Sequence, residues 1–600
     1  MTSCRADRRR QRRRLGVLLL APWLAIGAAS AQVGPPIRLT PPPRSDSPSA
    51  PAPATPERER PGAIEIERAR PVDFDAIGLG GSSRGGLPQD LWERSDPASI
   101  DRLLGALPGG FTSKAARDIA RRLLASAASP PRGSSPAAAP SEGDRASFAS
   151  RRAERLMAIG EVAAAIDLAK ALPSRLADEG ASRVQLDGLW LAGDNDAACA
   201  YARAQGARYA TAYWLKSGIF CQMLAGDRGR AQLGLNLLRE QGQEDPAFVR
   251  LALATGTTAP QSVGAIKDPS PLTLAMLRAT RQPLTAELAR GASIAMLPSI
   301  ADSPDTPIDV KLAAAERALA YGAIAPERLT ALYESVDLRP NQVADAGAFA
   351  ASDKGPRGRA ALYRSAKEQT LPVAKAEALR RLWTSATTPE ARSALWQIGA
   401  PLVRTLNPSA ELAWFADDAA RVLLVTGDMD AARVWAASAQ LAPASTLGAV
   451  EERTPVWPVL RLAGGDSLAP WEPERLAAWR RSNDRIARET ADSRRALLAT
   501  LFAALGEPAA PQLAPTIDAT GPSPRKTEMP DPALWLAMLS AASDRRTGEA
   551  ALAALIAVGP DGAAEGNLYS LGAALAALKN AGFEREARAL AAEAAFAAGI

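Results

Sequence analysis

One short phrase recurs in this chain at a fixed interval. Gly160-Glu161 is followed by Ala165, Gly193-Asp194 by Ala198, and Gly226-Asp227 by Ala231. The glycines stand 33 residues apart, twice in succession. The phrase returns as Gly427-Asp428 with Ala432, and as Gly582-Phe583 with Ala587. A fixed period of this length belongs to stacked helix pairs, in which each pair buries its apolar face only against its neighbours. The expected fold is therefore all-α, an α-solenoid of antiparallel helix pairs.

The phrase has a physical reading. Glycine tolerates the left-handed backbone that commonly ends a helix. The acid beside it accepts bonds from the first N–H groups of the next helix and suits its positive end. The alanine five residues after the glycine is small, so the second helix can lie close on the first. Gly427-Asp428-Met429-Asp430-Ala431-Ala432, running on to Pro443, resembles the second helix of a tetratricopeptide repeat, as does Gly582 to Ala594. Only 148–240 shows consecutive units, and the family's first-helix Trp, Leu-Gly and Tyr positions are mostly absent. The resemblance implies a superhelix with a partner-binding groove. Tyr213 and Trp214 on a first helix, and Trp414 further on, are the candidate groove residues.

The N-terminus reads as an address. Seven arginines between Arg5 and Arg14 precede a short apolar run, Leu15 to Gly27, and then Ala29-Ser30-Ala31. This is the layout of a secretory signal peptide, with cleavage expected after Ala31. The run is short for a membrane span, and an uncleaved anchor is the alternative. Arg12-Arg13 invites a twin-arginine reading, but Leu15-Gly16 is a poor match, so general export is favoured. No cysteine follows the run, which disfavours a lipoprotein. The expected product is periplasmic or secreted and bacterial, with no stable membrane insertion once the signal is cut. The whole chain carries 71 Lys+Arg and 65 Asp+Glu, and removing seven arginines and Asp7 leaves 64 of each sign. A nucleic-acid partner, which needs a basic footprint in the folded part, is not expected.

Composition narrows the chemistry further. There is no histidine in 600 residues, which excludes the usual Ser-His-Asp and Cys-His machinery and the commonest metal ligand. No cofactor or metal is expected. Cys4 leaves with the signal. Cys199 and Cys221 flank a turn near 205–209 between consecutive helices; in an oxidising compartment they form a disulfide or remain as two small buried apolar groups.

The remaining organisation follows from proline and glycine. Residues 32–62 are rich in proline and serine and 78–86 in glycine, so 32–86 reads as a disordered tether. A small helical unit is expected at 87–126, a linker at 127–147, and tetratricopeptide-like repeats at 148–260. Further helical repeat regions are expected at 261–445 and 446–600, as a stack of local contacts rather than one globule. Asp96-Pro97, Thr306-Pro307, Thr388-Pro389, Asn407-Pro408 and Asp531-Pro532 read as capped helix starts. Ala496 to Leu505 reads as a buried helix, and 511–532 as a loop.

Several motifs fail on inspection. Glu334-Ser335 matches the catalytic pair of cell-wall lytic transglycosylases, but the accompanying segment is missing. Ser523 and Lys526 have the spacing of penicillin-binding enzymes, without their other elements. Asp194-Asn195-Asp196 starts like a calcium loop that then lacks its glycine and terminal glutamate. Asp417-Asp418 are adjacent on a helix and diverge. Seven tryptophans between Trp383 and Trp479 are read as filling between alanine-rich helices, with an aromatic groove as the alternative. The expected function is a non-catalytic scaffold of the cell envelope that binds a protein partner in its groove. The alternative is a peptidoglycan-associated hydrolase or accessory subunit that works with carboxylates alone.

Overall fold

The computed structural model describes residues 74–79, 87–133, 147–173, 177–243, 245–256, 266, 268–439, 455–508, 513, 531–561 and 567–600. The signal segment, most of the tether and the Ser523–Lys526 pair lie outside them. Regular structure among the described residues is helical throughout, without a strand. One apolar core runs from Leu87 to Ile600.

The chain enters through α1 (Pro97–Ala106) and α2 (Lys114–Ala125). Asp96 and Ser113 cap them, accepting from the N–H groups of Ser99 and Ala116 at 2.9 and 3.1 Å. Three helix pairs follow: α3 (Phe148–Ala158) with α4 (Val162–Ala171), α5 (Glu179–Ala192) with α6 (Asn195–Gly206), and α7 (Ala212–Leu224) with α8 (Arg228–Glu240). Each helix packs on the next. Gly160, Gly193 and Gly226 have φ of +91°, +76° and +76°, the left-handed turn that the period anticipates. Asp194 and Asp227 accept from Ala197 and Arg230 N–H at 3.0 and 3.2 Å, whereas Glu161 makes no cap bond. Ala165, Ala198 and Ala231 are fully buried, so the small side chain marks where the two helices touch.

Next come α9 (Pro246–Ala254), α10 (Pro271–Ala279), α11 (Ala286–Gly291) and α12 (Leu297–Asp302). They do not extend the pairs in line. Helix α9 packs on α7, and α10 turns back onto α5. Arg278 donates to the carbonyls of Trp190 and Leu191 at 3.4 Å, and the Ser299 hydroxyl to Leu191 O at 2.7 Å. At the end of α5 the Trp190 carbonyl already accepts Gly193 N–H at 3.2 Å, so these bonds serve chiefly the Leu191 carbonyl.

The middle of the chain holds α13 (Ile308–Ala320), α14 (Pro326–Ser335), α15 (Pro340–Ala344), α16 (Ala346–Ser352), α17 (Pro356–Glu368), α18 (Pro372–Thr384), α19 (Pro389–Val403), α20 (Ala416–Thr426) and α21 (Met429–Ser438). Thr388 caps α19, accepting from Ala391 N–H at 3.2 Å. Two expected starts fail. Thr306 is not a cap: α13 begins after Pro307 without a side-chain cap bond, and Thr306 is buried. At Asn407-Pro408 no α-helix starts; the chain makes a short 3-10 turn from Ala410 instead.

The last part holds α22 (Trp457–Gly464), α23 (Pro473–Asn483), α24 (Arg488–Leu505), α25 (Pro532–Ser543), α26 (Thr547–Val558), α27 (Leu568–Asn580) and α28 (Glu584–Ala597). Leu498, Leu501 and Phe502 of α24 are fully buried, and Asp531 caps α25. No described helix is long and apolar enough to cross a membrane.

Two findings correct the expected organisation. First, the contacts are not only local. Helix α1 packs on α26, and α2 on α28. Thr112 N–H donates to Pro560 O at 3.0 Å, and Arg122 pairs with Glu586. Trp92, fully buried, rests where a Cβ on Gly548 would stand, 2.4 Å from its ring. Residues 87–126 are therefore part of the same compact unit as the C-terminus. Second, residues 74–79 are no tether. The buried Arg152 donates to the carbonyls of Asp75 and Ile77, and Leu79 N–H to Ala125 O at 2.8 Å. Burial lowers the Arg152 pKa to about 10.

Candidate functional site

The groove residues are placed unequally. Trp214 is 3% exposed and its indole N–H donates to Glu179 at 3.2 Å. Tyr213 is half-buried; its hydroxyl donates to Asp187 at 2.7 Å, and Arg183 lies over its ring. Both side chains are committed to α5 of the preceding helix pair through Asp187 and Glu179. Burial is the main cause raising both groups, the Tyr213 phenol strongly and Asp187 to about 6. Trp414 differs. It edges a surface hollow with Glu377 and Arg381, and Arg380 lies over its ring at 5.4 Å.

Cys199 on α6 and Cys221 on α7 are joined by a disulfide, with Cα atoms 5.5 Å apart. Glu334 lies on the surface and binds Lys367 at 2.6 Å. Asp417 and Asp418 diverge as adjacent helical residues must: the first accepts from Val456 N–H at 3.2 Å, the second pairs with Arg380 at 3.1 Å. Of the crowded tryptophans, Trp435, Trp457 and Trp479 are buried, and Trp383 stacks on Phe415 at 5.6 Å.

Two features were not anticipated from the sequence. The first is a cavity of about 270 Å³ where the N- and C-terminal helices meet. The loop before α2, the start of α14, helix α19, the end of α20 and helix α28 all line it. Glu593 is its half-buried acid. Its carboxylate accepts Ala115 N–H at 3.0 Å and the Ser113 hydroxyl, and burial raises its pKa against the pull of Arg117 and Lys114. Trp396, its ring 4.1 Å from that of Phe596, supplies an apolar wall. Pro401 lies inside α19. Lacking an N–H, it leaves the Gln397 carbonyl without its helical donor. A proline four residues after a glutamine in a helical stretch was the one sequence signal available here; Glu593 sits in an alanine run with nothing to distinguish it.

The second feature is an apolar stripe on α8. Leu233 is 70% and Leu237 42% exposed, while Leu224 at the end of α7 and Leu253 on α9 are 39% and 46% exposed. Arg228 and Arg230 stand at the same helix's exposed start. Among the described residues no group of three or more His, Cys, Asp or Glu side chains is placed to hold a metal ion.

No protein-family model matches this chain, nor does any curated protein or solved structure.

Proposed function

We propose that the mature chain is a non-catalytic scaffold of the bacterial cell envelope, and that it holds a partner protein on the helix-pair array α3 to α8. The array is read as a short tetratricopeptide-like solenoid. The observation that carries the reading is the leucine stripe on α8. The terminal helix of a stacked array needs a polar outer face to remain soluble alone. Leu233 and Leu237, four residues apart on one face, are the opposite, and exposed clusters of this kind mark contact surfaces. The first-helix groove is the poorer candidate, because α9 and α10 of the same chain already pack on α7 and α5. Arg228, exposed at the start of α8, favours a partner segment that is acidic as well as apolar, whereas Arg230 is already paired with Asp227 at 3.4 Å.

The test is retention of partner by the full-length protein carrying Leu233→Glu and Leu237→Glu. Loss of a specific envelope protein from the purified complex, with an unchanged melting curve, supports the reading. Undiminished retention contradicts docking at α8. Export rests on the arginine block, apolar run and Ala29-Ser30-Ala31. N-terminal sequencing of the envelope protein should start at Gln32; a chain starting at Met1 would mean a retained anchor.

The hydrolase reading has one observation in its favour. Glu593, a carboxyl raised by burial, shares its cavity with Glu327 and Asp561, and paired carboxylates are what glycoside hydrolysis needs. Release of soluble fragments from purified wall by the wild type, abolished in Glu327→Gln, is the result that would favour it.

A further inference from the structure

We propose that the cavity between the N- and C-terminal helices binds a small zwitterion of amino-acid or dipeptide size, its ammonium group at Glu593 and its carboxylate at Arg392. The argument is independent of partner docking at α8.

The two charges come from different helices, α28 and α19, and both line the cavity. Glu593 holds two hydrogen bonds from the start of α2. An ionised carboxylate has about four acceptor sites, so it can take further donors from the cavity side. Its nearest cations act at longer range, through Arg117 and Lys114, and Lys114 is already tied to Asp118 at 2.8 Å. A half-buried carboxylate whose cations stand at longer range gains from a cation delivered into the cavity. Trp396 lines the same cavity, and an indole face attracts an ammonium group.

Arg392 is the complementary half. Its one hydrogen bond among the described residues runs to Ala597 O at 3.5 Å. A guanidinium has five donors in a fork that matches a carboxylate, and most of this fork is uncommitted. The other cavity arginine, Arg404, is held by Asp428 at 2.8 Å. The Gln397 carbonyl, freed by Pro401, is a further acceptor for an amide or ammonium N–H. A volume of about 270 Å³ is room for a guest of dipeptide size. Carboxylate and guanidinium share one cavity without being paired to each other, and a guest bearing both opposite charges satisfies them together.

The experiment is calorimetric titration of the full-length mature protein with alanyl-alanine and alanyl-leucine at neutral pH. N-acetylated and C-amidated forms of the same dipeptides are run alongside. The expected result is saturable binding of the free dipeptides, and at least tenfold weaker binding when either end is blocked. Arg392→Gln should weaken the free dipeptide at least tenfold while leaving the amidated form unchanged, and Arg392→Lys should recover part of the loss. Glu593→Gln also weakens the acceptor for Ala115 N–H at the start of α2, so its melting curve is recorded first; if it fails to fold, the N-acetylated series alone tests the ammonium end. No heat from any free dipeptide at millimolar concentration would overturn the proposal. So would equal binding of blocked and free forms, or an Arg392→Gln protein that binds as the wild type does.

Discussion

At the scale of single residues, buried polar groups do two kinds of work here. Some pin segments together. Arg152 spends its donors on the carbonyls of Asp75, Ile77, Leu124 and Ser126, which is why a stretch composed like linker lies fixed against α2 and α3. Glu316 similarly joins three helices, taking Arg359 at 2.7 and 2.9 Å and the Tyr333 hydroxyl at 2.5 Å. Others carry a pH dependence. Asp187 titrates at about 6 in the fold against an ordinary 3.8, with burial the main cause. The folded state therefore binds the extra proton between those values, and stability falls as pH rises through that window. Asp187→Asn keeps an oxygen to accept from Tyr213 and removes the buried charge. It should be more stable than wild type at pH 7.5 by roughly 2 kcal/mol, with the difference closing below pH 4. Urea unfolding at the two pH values checks this, and a variant less stable at pH 7.5 contradicts it. Nothing in the sequence around Arg152 or Asp187 separates them from the many solvated charges, because burial is decided by helices that arrive from elsewhere.

At the scale of elements, the helix pairs were legible and their continuation was not. Gly193, Asp194 and Ala198 act within one turn, through a positive φ, a cap bond and a close contact. Such signals survive in the sequence because cause and effect are a few residues apart. The return of α10 onto α5 depends on Arg278 reaching Trp190 and Leu191, a separation of 88 and 87 residues, which no local pattern records. Thr306-Pro307 and Asn407-Pro408 had the composition of a cap without its geometry. The disulfide between α6 and α7 spans 22 residues. Replacing Cys199 and Cys221 by serine should cost about 2–4 kcal/mol, and reductant should lower the melting temperature of the wild type but not of the variant. A variant that melts with the wild type would place the hairpin's stability in packing alone.

At the scale of the compact unit, the decisive feature is that early and late helices meet. Arg122 and Glu586 are 464 residues apart and 28% and 19% exposed. Arg122→Glu should destabilise by on the order of 1–2 kcal/mol, and adding Glu586→Arg should restore most of the loss. Thermal unfolding of the two variants decides it; an unrescued double variant would show that the pair does not contribute as drawn. This closure creates the cavity around Glu593 and Arg392; Leu233 and Leu237 on α8 are among the apolar side chains that meet solvent, as are Leu536 and Leu539 on α25. The most direct measurement for the scaffold account is photo-crosslinking in living cells from a reactive residue placed at Leu233 or Leu237, with Tyr569 as an exposed site elsewhere. The account predicts one dominant adduct with an envelope protein from both α8 positions and none from Tyr569. The same pattern from all three sites, or no adduct from α8, would contradict it.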